Sequence, residues 1–159
     1  MHEALRSFVG MLTALTLFGA VVGALCGWSL VGWALWPTHS RAVRDMLHEA
    51  FARALLVGTL NLLACFALAA LLKSPPVAVL LAIGIAVITL SGVSGLGAFV
   101  GQRMAAAAGL EAPLLRAAGT GMLTVGVAAL LPVAGQVFGI AMLVAAFGAG
   151  IMAVLARKE

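Results

Sequence analysis

The forty residues from Ala117 to Ala156 contain no acidic or basic side chain. As one straight α-helix this run would be about 60 Å long, twice the thickness of the hydrocarbon core of a bilayer. The chain must therefore fold back within the run. We predict the break at Pro132–Gln136, where a proline, a glycine and a polar amide occur together. The run thus predicts two membrane spans.

The composition agrees with a chain built for lipid. Hydrophobic residues make up 64% of the sequence, charged residues 9%, and the mean hydropathy is +1.21. A soluble domain carries about a quarter charged residues. The fold class predicted for residues 1–159 is therefore all-α, a polytopic membrane helix bundle forming one membrane domain.

Three earlier apolar runs supply the remaining spans. The first ends in Trp28, Trp33 and Trp36, which are typical of a headgroup boundary. A secretory signal peptide would have a shorter apolar core of about 7 to 15 residues, so we expect this run to be retained. The other two flank Lys73–Pro76, a predicted hairpin turn because proline suits the first turn of a new helix. The five predicted spans lie near residues 8–36, 54–72, 77–102, 114–131 and 136–156.

The distribution of arginine and lysine predicts the topology, because cytoplasmic loops collect positive charge. With five spans, one side carries only Arg6 and Lys73. The opposite side carries Arg41, Arg44, Arg53, Arg103, Arg116, Arg157 and Lys158. Merging the last two spans would reduce this seven-to-two split to five against four. We therefore expect the N terminus outside and the C terminus in the cytoplasm.

Residues 38–53 predict an amphipathic helix at the cytoplasmic interface. Thr38 or Ser40 would cap its start. Its apolar stripe would face acyl chains or neighbouring spans, and its arginines would face anionic headgroups. Two roles stay open, a solvated linker helix and a surface that docks a partner. The stripe is Val43, Met46, Leu47, Ala50, Phe51 and Ala54, and the polar face is Arg41, Arg44, Asp45, His48, Glu49 and Arg53.

The second and third spans resemble the fourth and fifth, which predicts two similar helical hairpins. Arg53-Ala54 is followed by Gly58, as Arg116-Ala117 is followed by Gly121. The third and fifth spans match at an offset of 55 residues. Because both hairpins begin and end on the same side, the repeat would be parallel, related by an axis along the membrane normal.

Rows of small residues predict close helix packing, because they let helix backbones approach each other in lipid. The first span carries three glycines in register and has no hairpin partner. We therefore weigh self-association or docking to another membrane protein against packing within the chain. The predicted packing residues are Gly19, Gly23, Gly27, Gly95, Gly97, Gly101, Ala145 and Ala149. Those predicted to face lipid or a partner are Arg41, Arg44, Arg53, Trp28, Trp33 and Trp36.

Few residues have side chains suited to catalysis or to ligand binding. Charged residues inside spans usually mark ion paths or ligand sites, and these spans contain none away from their ends. Asn61 is the main intramembrane polar residue, and we expect it to bond across a helix pair rather than bind substrate. Cys26 and Cys65 lie in apolar surroundings that keep a thiol unreactive. The sequence predicts no catalytic residue, no metal site and no cofactor.

Over about residues 51–158 the chain resembles the membrane portion of bacterial polymer-forming cytoskeletal, or bactofilin-associated, membrane proteins. The similarity rests on the Leu-Pro-Val-x-Gly turn at 131–135, on the Lys-Ser-Pro-Pro turn and on glycines near the span ends. It implies a multi-pass protein of the bacterial inner membrane. The β-helical polymerising segment is missing here, and the first span and its arginine-rich helix lie outside the similarity.

The function expected from these features is that of a non-catalytic membrane scaffold or accessory subunit. Its partners would be membrane lipids and other membrane subunits or further copies of itself, and the positive charge indicates headgroups before nucleic acid. The alternative is a small oligomeric transporter or channel with Asn61 and span threonines along a path. An enzyme is not expected.

Overall fold

The structure is a computed structural model that describes the backbone of residues 2–156 and the side chains of residues 6–156. Within these residues the chain forms helices and no strand, as predicted. Four of the helices are long and apolar enough to cross a membrane, and the fourth along the chain is shorter. The helices are α1 (His2–Leu35), α2 (Pro37–Leu72), α3 (Pro75–Ala107), α4 (Leu114–Ala128) and α5 (Ala134–Leu155).

The helix bounds follow the proline and glycine signals of the sequence. Trp36, with φ −131° and ψ 61°, separates α1 from α2, and Pro37 begins α2. Proline suits this position because the first helical residues donate no hydrogen bond within the helix. Lys73 closes α2 in a left-handed conformation, and Pro75 begins α3. The break between α4 and α5 falls at residues 129–133, overlapping the predicted position and beginning three residues before it.

The predicted amphipathic segment is helical and leads directly into the helix of the predicted second span. It forms the beginning of α2, and only Ala50 interrupts the helical backbone, with φ −142° and ψ 46°. We call residues 37–49 the first arm of α2 and residues 51–72 its second arm. The two arms are thus separated by a kink at Ala50.

The second half of α3 forms the centre of the bundle, and α3 contacts each of the other four helices. Residues 92–99 and Gly101 are buried. By contrast, the first half of α3 and the end of α2 expose apolar side chains such as Leu71 and Leu80. Such surfaces suit a chain whose surroundings are lipid, where apolar exposure carries no hydrophobic penalty.

The same sequence pattern forms the two closest helix contacts. On α2, Ala54 and Gly58 lie against Gly148 of α5; on α4, the matching residues Ala117 and Gly121 lie against α3. Each matched helix therefore packs on the second helix of the other predicted hairpin. The sequence similarity between α2 and α4 thus coincides with two similar interfaces.

Candidate helix-docking surfaces

The predicted packing glycines of α3 lie where helix backbones touch. A Cβ added to Gly101 would overlap with the carbonyl of Ala117 on α4, and one added to Gly97 would lie 2.5 Å from the carbonyl oxygen of Ala118. At Gly95, a Cβ would lie 2.6 Å from Cβ of Val43 in the first arm of α2. Glycine is required at these positions because any side chain would force the helices apart.

The predicted alanines of α5 are also in the core. Ala145 and Ala149 are fully buried and belong to a cluster with Leu47, Leu96 and Phe99. This cluster joins α2, α3 and α5. The small-residue face of α5 therefore serves packing within the chain.

The glycine row of α1 differs from all of these. Gly19, Gly23 and Gly27 are exposed, and a Cβ added at any of them would meet no atom within 4 Å. Further along the same helix, a Cβ on Gly32 would lie 2.7 Å from Cβ of Ser94. Val22 of α1 contacts the bundle, and Gly23 of the row is the next residue. Because neighbouring positions on a helix are about 100° apart, the row lies beside the face that contacts the bundle. Within the described residues, this row has no partner.

Trp33 requires a correction, because the sequence placed it among the lipid- or partner-facing residues. It is only 6% exposed, and its Nε1 donates to the carbonyl of Ser94 at 2.7 Å. Trp28 donates in the same way to the carbonyl of Leu90 at 2.8 Å but stays 37% exposed, and Trp36 is 53% exposed. Buried indole needs a partner for its N–H, and the backbone of α3 supplies it to Trp33.

Ser40 also differs from its prediction. It does not cap α2, which begins at Pro37 without a side-chain cap. Instead its hydroxyl donates to the carbonyl of Gly32 at 3.2 Å and lies 2.8 Å from the hydroxyl of Ser94. Ser29 is fully buried beside Gly97. These serines line the junction of α1, α2 and α3, a position that no sequence pattern predicted for them.

The first arm of α2 turns its apolar stripe inward. Val43 and Leu47 have no exposed surface, whereas Arg41 of the same arm and Arg53 of the second arm are exposed. Arg44 forms an ion pair with Asp45 at 2.5 Å, the one such pair in residues 6–156. Of the two predicted orientations, acyl chains or neighbouring spans, the structure shows the second for this stripe.

Asn61 does not bond across a helix pair. Its Nδ2 donates to the carbonyl of Val57 at 2.9 Å, one turn earlier in α2, and the side chain is exposed. Thr59 and Thr124 likewise donate to carbonyls of their own helices. Local bonds of this kind satisfy a polar group in an apolar surrounding without a partner helix.

A cavity of about 420 Å³ lies at the junction of α1, α2 and α3. Trp28, Trp36 and Val154 are among its walls, and Ser40 and Ser91 add hydroxyl groups. Ser91 donates to the carbonyl of Ile88 at 2.7 Å. The cavity has the size of a small-molecule site, and its walls are mainly apolar.

Residues 6–156 hold no group of three or more His, Cys, Asp or Glu side chains that would suit a metal ion. Comparison with protein-family models, with curated proteins and with solved structures finds no match to this chain. The function must therefore be argued from the surfaces described above.

Proposed function

We propose that this protein is a non-catalytic scaffold or accessory subunit of a membrane assembly, and that the glycine row of α1 docks a transmembrane helix of a partner subunit. The supporting observation is the contrast between glycines. Gly97 and Gly101, in the second half of α3, lie against other backbones, whereas Gly19, Gly23 and Gly27 meet open space.

Energetics support a partner for this row. Glycine in a helix interior costs about 1 kcal/mol relative to alanine. For Gly97 and Gly101 of α3, close backbone contact offsets that cost. For the glycine row of α1, an approaching helix would supply the same dispersion contacts in lipid. The proposed partner is an apolar helix, because the exposed neighbours of the row include Leu12, Leu15 and Val31.

The proposed placement is a multi-pass protein of the bacterial inner membrane with five spans, the N terminus outside and the C terminus in the cytoplasm. The exposed Arg41 and Arg53 on α2, with Arg103 near the end of α3 and Arg116 near the start of α4, support it. Arg157 and Lys158, which contribute to the same prediction, lie outside the described residues.

A small oligomeric transporter is the second candidate, and the cavity at the α1, α2 and α3 junction is the observation that favours it. Its apolar walls suit a lipophilic cargo rather than an ion. Flux of a lipophilic fluorescent compound across proteoliposomes that depends on this protein, and that is lost on filling the cavity with Ser91→Trp, would favour this candidate over the scaffold.

The scaffold proposal is tested by measuring the mass of the intact assembly after gentle detergent extraction. The unaltered chain is expected to co-purify with a second polypeptide at a fixed ratio. Gly23→Leu should release that polypeptide, because a leucine on the row would hold the partner helix away. Masses at whole multiples of this chain would instead show self-association, and an unaltered monomer would contradict docking.

Two matched variants control this experiment. Gly10→Leu changes another glycine of α1 that also meets open space but lies about 180° from Gly19 on the helix, so it should keep the partner. Gly121→Leu should unfold or weaken the bundle, because a side chain there would overlap with the carbonyl of Gly97. If Gly10→Leu and Gly23→Leu release the partner equally, the row is not the docking surface.

A further inference from the structure

A second cavity, of about 470 Å³, opens near the end of α3, away from the glycine row of α1. Its walls come from three helices: Phe51 of α2, Phe99, Arg103 and Met104 of α3, and Phe138 and Met142 of α5. We call it the Arg103 groove. Apart from the arginine these six side chains are apolar, so the groove places one permanent positive charge beside a hydrocarbon-like surface.

Aromatic side chains position the guanidinium group of Arg103. The guanidinium carbon of Arg103 lies 5.3 Å from the centroid of the Phe99 ring, a cation–π distance. Phe51 stacks on Phe99 at 6.1 Å, and His48 meets its edge at 6.3 Å. The side chain that carries the cation is therefore positioned by packing rather than by an acidic partner.

No carboxylate within residues 6–156 forms an ion pair with this arginine. Among residues 6–156 the single ion pair is that of Arg44 with Asp45. Arg103 is exposed and lies four residues before the end of α3. An arginine near the end of a long apolar helix reaches the headgroup level of a bilayer. Its full charge is therefore available to an anion at that level.

We propose that the Arg103 groove binds an anionic phospholipid, with the phosphate at the guanidinium and one acyl chain along Phe51, Phe138 and Met142. Arginine pairs well with phosphate, since its planar donors match two phosphate oxygens. The volume falls within the range of about 300 to 1,000 Å³ typical of ligand sites. The apolar walls favour a lipid over a free anion, because only a lipid fills them.

The test uses the full chain in mild detergent with equal amounts of phosphatidylglycerol and phosphatidylcholine, and counts the bound lipids by native mass spectrometry. The unaltered chain should retain phosphatidylglycerol about fivefold more than phosphatidylcholine, the factor that corresponds to about 1 kcal/mol for one arginine at an anionic headgroup. Arg103→Gln should bring this ratio close to one, and Arg103→Lys should keep a ratio above one.

Arg116→Gln is the matched control, because this exposed arginine of α4 lies outside the groove. It should leave the ratio unchanged. Equal losses in Arg103→Gln and Arg116→Gln would show diffuse attraction by surface charge and would overturn the proposal. Circular dichroism and a single elution peak establish that each variant is folded before its ratio is read.

Two further experiments distinguish binding of a lipid from binding of a free anion. Ala107→Trp fills the groove from an exposed position and should lower the occupancy of both lipids. Inorganic phosphate added in excess should not displace phosphatidylglycerol, since it cannot replace the acyl chain. Full displacement by phosphate, or unchanged occupancy in Ala107→Trp, would contradict an acyl chain in the groove.

Discussion

Val133 adopts a backbone conformation that its side chain disfavours. Its φ of 61° and ψ of −66° place it in a tight turn in which Ala134 N–H donates to the carbonyl of Pro132 at 2.7 Å. This is the geometry of a γ-turn, which is strained for a β-branched residue. The turn lets α5 start against the end of α4, where Gly135 lies against the carbonyl of Ala128.

Val133→Gly is therefore expected to stabilise the protein by about 1 kcal/mol. Relief of strain would raise the free energy of unfolding by about 1–3 kcal/mol. The greater freedom of glycine in the unfolded chain would lower it by about 0.4–1 kcal/mol. Val133 is 75% exposed, so little packing is lost. The measurement is the thermal unfolding midpoint in detergent, which should rise.

Val127→Gly is the comparison for this prediction. Val127 is also exposed, but it lies within α4, where glycine lowers helix stability by about 1 kcal/mol relative to alanine and by a smaller amount relative to valine. The midpoint should fall in this variant. Equal falls in both variants would mean that the turn at Val133 is not strained in the protein.

At the scale of elements, the two arms of α2 contact different parts of the bundle. The first arm crosses α3, where Val43 lies against Gly95 and Ser40 lies against Ser94. The second arm packs on α5 through Gly58. The break at Ala50 separates these two contacts. The apolar stripe of the first arm belongs to the folded core, and Arg41 on its other face remains exposed.

Because the first arm packs on α3, we expect a disulfide bond between the two cysteines introduced by Ser40→Cys and Ser94→Cys. The native cysteines are removed from this chain by Cys26→Ala and Cys65→Ala. The two hydroxyl oxygens lie 2.8 Å apart, and sulfur atoms at similar positions could close to the S–S length of about 2.05 Å. Mild oxidation should produce a faster-migrating band on a non-reducing gel, which reductant removes.

The pair Asp45→Cys and Ser94→Cys controls for chance collision, because Asp45 is exposed on the same arm. It should form far less of the band. Equal yields from the two pairs would mean that the arm lies loosely on the membrane surface instead of against α3.

At the scale of the whole molecule, the number of spans depends on α4. Its 15 residues measure about 22 Å, short of the roughly 30 Å hydrocarbon core. The turn residues on either side would have to supply the remaining depth. The arginine distribution in the sequence favours a crossing, because with five spans Arg157 and Lys158 would share the side of Arg103 and Arg116, whereas without a crossing of α4 they would lie on the opposite side.

Single cysteines at Ser74, Glu111 and Val133 test this topology in sealed vesicles with an impermeant maleimide. Both native cysteines are replaced by alanine in these chains. Ser74 and Val133 should label from one side and Glu111 from the other. If Glu111 and Val133 label from the same side, α4 does not cross and the protein has four spans.

The sequence by itself indicated that the chain suits apolar surroundings, that it is all-helical, and approximately where each helix ends. Hydropathy and helix breaking depend on residues that are close in sequence. The residues of a run such as 117–156, or of a turn such as Lys73–Pro76, are therefore sufficient to predict it. The first arm of α2 was also recognisable, because an amphipathic stripe needs only the helical period.

Only the tertiary structure decided which faces meet. In a chain with 19 glycines, the same four-residue spacing occurs at Gly97 and Gly101, which pack, and at Gly19 and Gly23, which do not. Leucine contacts lipid as readily as it contacts protein, so hydropathy does not distinguish a core face from a lipid face. The burial of Trp33 and the contact of Ser40 with Ser94 join residues 54 or more positions apart. Such contacts depend on how whole helices cross, which no local pattern contains.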